Sequence, residues 1–146
     1  MGGDKKDAKM FSRIMIPIDL GHIDQMDKAI AVTAELAKLH GAEVQVGGVT
    51  QSQPSEIARN PAAFGEKLAA LASELSEKQG VTFTPHTEMR HDIRLDRDDV
   101  LARAATAIGA DLIVMASHVP GFADHIFASN AGYIASHSSM SVFVVR

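Results

Sequence analysis

The sequence predicts an α/β fold: an open, mainly parallel five-stranded sheet sandwiched by four helices. Three observations carry this. A glycine phrase recurs where helical segments meet apolar ones, one long segment has a clear helical stripe, and two strand candidates are apolar throughout. The phrase is His40-Gly41-Ala42-Glu43-Val44, again Ile108-Gly109-Ala110-Asp111-Leu112, and in shorter form Gln79-Gly80-Val81-Thr82. Glycine just past a helix end takes the left-handed conformation without a steric penalty, which closes the helix and turns the chain into a strand. Junctions of this kind imply successive βα units.

In chain order, Arg13 to Asp19 reads as the first strand, and Asp24 as the N-cap of a helix carrying Met26, Ile30, Leu36 and Leu39. Val44 to Thr50 is the second strand. The polar, proline-bearing segment from Gln51 to Pro61 would lie over the sheet edge as a flap. Asn60 caps the next helix with Pro61 at its first position, and Phe64, Leu68, Leu71 and Leu75 form its stripe. Val81 to Glu88 is the third strand. Asp96, Asp98 and Asp99 crowd the first turn of a helix carrying Val100, Leu101, Ala104 and Ile108; carboxylates there complement the helix dipole, and a metal site is the alternative. Asp111 to Ser117 is the fourth strand, Ser129-Asn130 starts the last helix, and Ser141 to Val145 closes the sheet. The first and fourth strands hold the unbroken apolar runs Ile14-Met15-Ile16-Pro17-Ile18 and Leu112-Ile113-Val114-Met115, as central parallel strands covered on both faces do. Pro17 ends its strand, where a missing donor is tolerable.

A chain of 146 residues fits one domain, read here as residues 11–146 behind a polar tail of residues 1–10. That tail has no apolar stretch of the kind that marks a secretory leader. The net charge of −4 and a sequence pI near 5.9 argue against nucleic acid or an anionic membrane as partner. No apolar run approaches the roughly 20 residues of a membrane span. With no cysteine, disulfides, thiolate metal sites and a cysteine nucleophile are excluded, which fits a reducing cytoplasm. The seven histidines show no H-x-x-x-H pair, so no metal site is expected.

In open parallel sheets, ligands bind beyond the carboxyl ends of the strands, near the switch in strand order. A helix start there offers unpaired N–H groups and the positive end of a dipole to an anion. Ser129-Asn130 is placed for this, and capping by either side chain uses the same geometry. Asp19 at the end of the first strand suits a ribose hydroxyl, Mg²⁺ through water, or capping of the turn Leu20-Gly21-His22. His118, at the mouth of the fourth strand, could donate to a phosphate or bond nearby backbone. Gly47-Gly48 inside the second strand is either a bulge or a close approach facing an adenine. Against phosphate binding, Ala116, Val119 and Ala128 stand where glycine would serve better, and no Lys or Arg occurs between Arg103 and Arg146. No nucleophile elbow, phosphate-loop lysine motif or acid/base pair is present, so no catalytic residue is assigned.

From Ser12 to Arg146 the chain resembles the universal stress proteins. The resemblance rests on Arg13-Ile14-Met15-Ile16-Pro17-Ile18-Asp19, on Gly109-Ala110-Asp111-Leu112-Ile113-Val114-Met115-Ala116-Ser117-His118, and on the ending Ser138 to Arg146. Ala116-Ser117-His118 with Pro120, and Ser129-Asn130-Ala131, look most like the F/G-type branch. The resemblance implies a Rossmann-like fold, a cytoplasmic homodimer joined through Ser141–Arg146, and binding of ATP, with or without Mg²⁺, in a stress response with little or no turnover. Carried over residue by residue, Asp19 meets the ribose, Val49 the adenine edge and Met115 the adenine face. Ala116, Val119, Ala128, Ser129 and Asn130 line the phosphates; Pro17, Ile18, Ser117 and His118 complete the expected site. The chain departs from the family pattern at all three loop glycines, and Val119 stands where that branch tends to carry arginine. The alternative is a dimeric protein-interaction domain with a degenerated pocket.

Overall fold

The computed structural model describes residues 10–18, 20–51, 61–90, 97–116, 132, 135–136 and 138–146. The elements are β1 (Arg13–Ile18), a 3₁₀ turn (Leu20–Gln25), α1 (Asp27–His40), β2 (Glu43–Gln51), α2 (Pro61–Gln79), β3 (Phe83–Arg90), α3 (Arg97–Ala107), β4 (Leu112–Ala116) and β5 (Ser141–Val145). They build one five-stranded sheet in the order β3-β2-β1-β4-β5, with every neighbouring pair parallel. The expected fold class is therefore observed. Among the described residues there are three α-helices; Gly132, Ala135 and Ser136 are helical where the fourth is expected. The tail of residues 1–9 and the flap residues 52–60 lie outside the described residues.

Strand alternation sorts the apolar residues into two layers. Ile14, Ile16 and Ile18 of β1, Val44 and Val46 of β2, and Leu112, Val114 and Ala116 of β4 pack with Ala29, Ile30 and Ala34 of α1 and Phe64, Leu68 and Leu75 of α2. Met15, Ile113 and Met115 point the other way, against Ala104 and Ala105 of α3. β1 and β4 are buried throughout apart from the half-buried Arg13, as their unbroken apolar runs require.

The glycine junctions behave as the sequence predicts. Gly41, Gly80 and Gly109 have φ of 65°, 72° and 72°, and Ala42 and Ala110 donate back to the carbonyls of Ala37 and Ala105 at 3.0 and 2.9 Å. The acid two residues after the first and third glycines then leads the chain into a strand against β1: Glu43 is the first residue of β2, and Asp111 directly precedes β4. The Glu43 amide donates to the Ser12 carbonyl and the Asp111 amide to the Arg13 carbonyl, each at 3.0 Å. The Asp111 carboxylate also accepts from the amides of Ser12 (2.8 Å) and Arg13 (3.1 Å), while the Arg13 guanidinium donates to the Ile108 carbonyl (2.5 Å) and to Glu43 (2.7 and 2.9 Å). At this amino edge, one arginine and one aspartate fix three strand starts. The Arg13–Glu43 pair is solvent-exposed, so Glu43→Ala is expected to cost less than about 1 kcal/mol in a urea titration.

Two local expectations are corrected. Asp24 is not the cap of α1: the chain first makes the 3₁₀ turn, the Met26 amide donates to Ile23, and the helix starts at Asp27 with Met26 in the cap position and no side-chain cap bond. Met26 is buried there, so packing rather than capping sets the start. Leu39, counted in the α1 stripe, is 69% exposed because the inward positions at that end belong to Ala37 and His40.

Candidate functional site at the strand-order switch

Parallel strands share one carboxyl edge, so Ile18, Gln51, Arg90, Ala116 and Val145 all end on the same side of the sheet. From β1 the chain moves outward to β2 and β3, then returns to β4 and β5 on the other side. The switch therefore falls between the ends of β1 and β4. Their ladder pairs Ile14 with Leu112 and Met15 with Ile113, whereas β1 pairs with β2 through all six residues to Ile18↔Gly48. Pro17, which brings no N–H, falls beyond the β1–β4 pairs.

Four of the expected site residues end the two strands at this point: Pro17 and Ile18 on β1, Met115 and Ala116 on β4. They are apolar and lie on both faces of the sheet. Ile18 (6% exposed) and Ala116 (6%) lie on the α1/α2 side, and Met115 (1%) on the α3 side. The methyl group of Ala116, the first of the three glycine replacements, belongs to the buried cluster with Ile18 and Ile30. Val49 follows Gly48 along β2, in register with Glu88 of β3. Asp19, Ser117, His118, Val119, Ala128, Ser129 and Asn130 lie outside the described residues, although Asp19 directly follows Ile18 and Ser117 directly follows Ala116. Asp96 is likewise outside them. Among the described residues, no group of three or more His, Asp or Glu is placed to hold a metal ion, and no helix is long and apolar enough to cross a membrane.

Gly47-Gly48 fits neither sequence reading. β2 pairs without interruption through both glycines on both sides, so there is no bulge. A Cβ at Gly47 would collide with the terminal methyl of Met15, and one at Gly48 would stand 2.7 Å from the Phe64 ring and 2.9 Å from Leu68. The close approach is made by the protein's own core on opposite faces, not by an adenine.

The sequence reading also passed over Lys28. This exposed residue lies in the first turn of α1, which starts from the carboxyl edge, and its Nζ donates to the Arg146 carbonyl at 3.0 Å. No local pattern signals this, because its partner is at the far end of the chain.

Comparison with known proteins settles the lineage. The model of the universal stress protein family matches residues 10–146. The chain belongs to this family. Universal stress protein G of Escherichia coli O157:H7 is 28% identical over 144 residues, covering 94% of this chain and 100% of that one; the Shigella flexneri protein of the same name gives the same figures. Among solved structures, a universal stress protein from Archaeoglobus fulgidus superimposes with a TM-score of 0.66 at 19% identity, covering 92% of this chain and 93% of the other. A universal stress protein in complex with cAMP gives 0.65 at 16% identity, covering 93% and 97%. A family member from Arabidopsis thaliana with AMP bound gives 0.56 at 14% identity, covering 92% and 90%. The fold is that of these universal stress proteins, and the resemblance to the F/G-type branch agrees with the relatives found.

Proposed function

We propose that this universal stress protein is an adenine-nucleotide-binding module of the cytoplasmic stress response, a sensor with little or no turnover. The observation that carries the reading is the strand-order switch itself, where β1 ends in Pro17 and Ile18 and β4 in Met115 and Ala116. This is where an open parallel sheet receives a ligand, and a purine needs a flat apolar surface with few polar contacts. Structural neighbours in complex with cAMP and with AMP support an adenine nucleotide as ligand class. In this reading Met115 and Val49 serve the base and Asp19 the ribose. The segment from Ser117 to Asn130 serves the phosphate, with Ser129-Asn130 presenting helix-start amides. ATP, with or without Mg²⁺, is the ligand the family pattern implies.

A thermal-unfolding series on tag-free protein tests this. At a nucleotide concentration near 100 Kd the native state gains about 2.7 kcal/mol, which raises the midpoint by roughly 5–10 °C in a chain of this size. No shift with AMP, cAMP or ATP at millimolar concentration removes nucleotide binding from the function.

A second reading, a homodimeric interaction module, draws on β5. This is an edge strand, with Phe143 43% and Val144 44% exposed, and such a strand is a pairing template for another copy. Val144→Lys is expected to convert a dimer to a monomer in light scattering, with unchanged far-UV circular dichroism. An unchanged mass would exclude the strand from the interface.

A further inference from the structure

Right-handed crossovers place α1 and α2 on one face of the sheet, because both connections step from β1 toward β3 and away from β5. On this face α1 packs across β1, β2 and β4, and α2 across β2 and β3. Phe143 of β5 pairs with Val114 and so points to the same face, where it is left 43% exposed.

A flank of α1 looks toward β5. The Lys28 Nζ donates to the Arg146 carbonyl at 3.0 Å, which fixes the flank concerned. At 3.6 residues per turn, Val32, Leu36 and Leu39 fall within roughly 80° of Lys28 around the helix and share that flank. Val32 and Leu36 are half-buried at the margin of the core, and Leu39 is 69% exposed. α1 runs against the direction of β5. From Lys28 to Leu39 it rises roughly 16 Å, the length of about five strand residues, so Leu39 stands level with the start of β5 at Ser141. An apolar surface therefore runs from Leu39 along the flank of α1 and down to Phe143.

Pairing of strand edges does not use this surface. A stable dimer buries about 800 Å² and some 20–30 residues on each partner, whereas β5 has five residues. A dimer built on β5 needs a further surface continuous with it. Antiparallel two-fold pairing of β5 centred on Phe143 keeps α1 of both copies on the same side of one joined sheet. Five strand spacings, about 24 Å, then separate the two copies of β1 on which the helices lie. A helix is about 10–12 Å across, so a trough remains between them. The two Phe143 rings stand in it, and Val32, Leu36 and Leu39 of each copy line its walls.

We infer that a second copy of this chain covers the α1 flank Val32-Leu36-Leu39 together with Phe143, so the interface is an apolar trough as well as a strand edge. This rests on the homodimer reading above and deepens it. Sedimentation equilibrium of the tag-free full chain tests it. Leu39→Lys is expected to weaken the dimer at least about tenfold. Its far-UV circular dichroism stays unchanged, because Leu39 is exposed in the single chain. Ala31→Lys, on the solvent side of the same helix, is expected to keep the native dissociation constant. Leu39→Lys associating as tightly as the native chain, while Val144→Lys is monomeric, would overturn the inference and leave edge pairing standing. A native chain that is monomeric at every concentration would overturn the homodimer reading itself, a separate result.

Discussion

Replacing Gly48 by valine is expected to lower the stability of the folded protein by about 3 kcal/mol, the upper part of the range for overpacking a dense core. The Cβ alone would lie 2.7 and 3.0 Å from two atoms of the Phe64 ring and 2.9 Å from Leu68, and both residues are buried on α2. A ring held by a helix cannot yield as a chain end can. The helix would have to lift from the sheet, exposing part of the larger core layer. In a urea titration the midpoint falls with little change in slope, and the thermal midpoint drops by roughly 6–12 °C. Gly47→Ala makes the contrast: its Cβ meets the terminal methyl of Met15, the end of a flexible side chain, so the cost is smaller. A Gly48→Ala protein should be partly rescued by Phe64→Leu. A Gly48→Val protein with a wild-type midpoint would show that α2 does not pack this closely on β2.

Asp111→Ala is expected to cost about 2 kcal/mol, more than Glu43→Ala although both residues sit two positions after a helix-closing glycine. Glu43 only pairs with an exposed guanidinium. The Asp111 carboxylate accepts from two consecutive backbone amides, Ser12 and Arg13, at the entry to β1. Hydrogen bonds to a charged group contribute about 1.5–3 kcal/mol when sheltered, and less at a half-exposed edge. Removing the carboxylate leaves both donors without an acceptor, next to the point where β4 joins the sheet. Asp111→Asn keeps one acceptor oxygen and should fall between. The check is the denaturant midpoint of the three variants. Equal values for Asp111→Ala and Glu43→Ala would refute the role given to the carboxylate.

Glycine, proline and apolar period made most of this architecture readable from local sequence. Gly41, Gly80 and Gly109 end helices because left-handed φ is cheap only for glycine, a property of one residue and its neighbours. Pro61 starts α2 and the apolar runs of β1 and β4 fill the middle of the sheet, again as local chemistry dictates. The start of α1 was misread because Asp24 has the right chemistry for a cap, while the buried Met26 decides where the helix begins. Leu39 has the right chemistry for a core and lacks the right azimuth.

The sequence by itself determined the βα repeats, their order along the chain and the family, because each depends on residues close together in the chain. The tertiary structure alone decided three things: that Gly47 and Gly48 make room for Met15 and Phe64, that Asp111 and Arg13 bind three strand starts together, and that the switch lies between an apolar β1 and an apolar β4. Each is a contact between residues distant in sequence, where no local pattern fixes the partner and only close packing of the folded chain selects it.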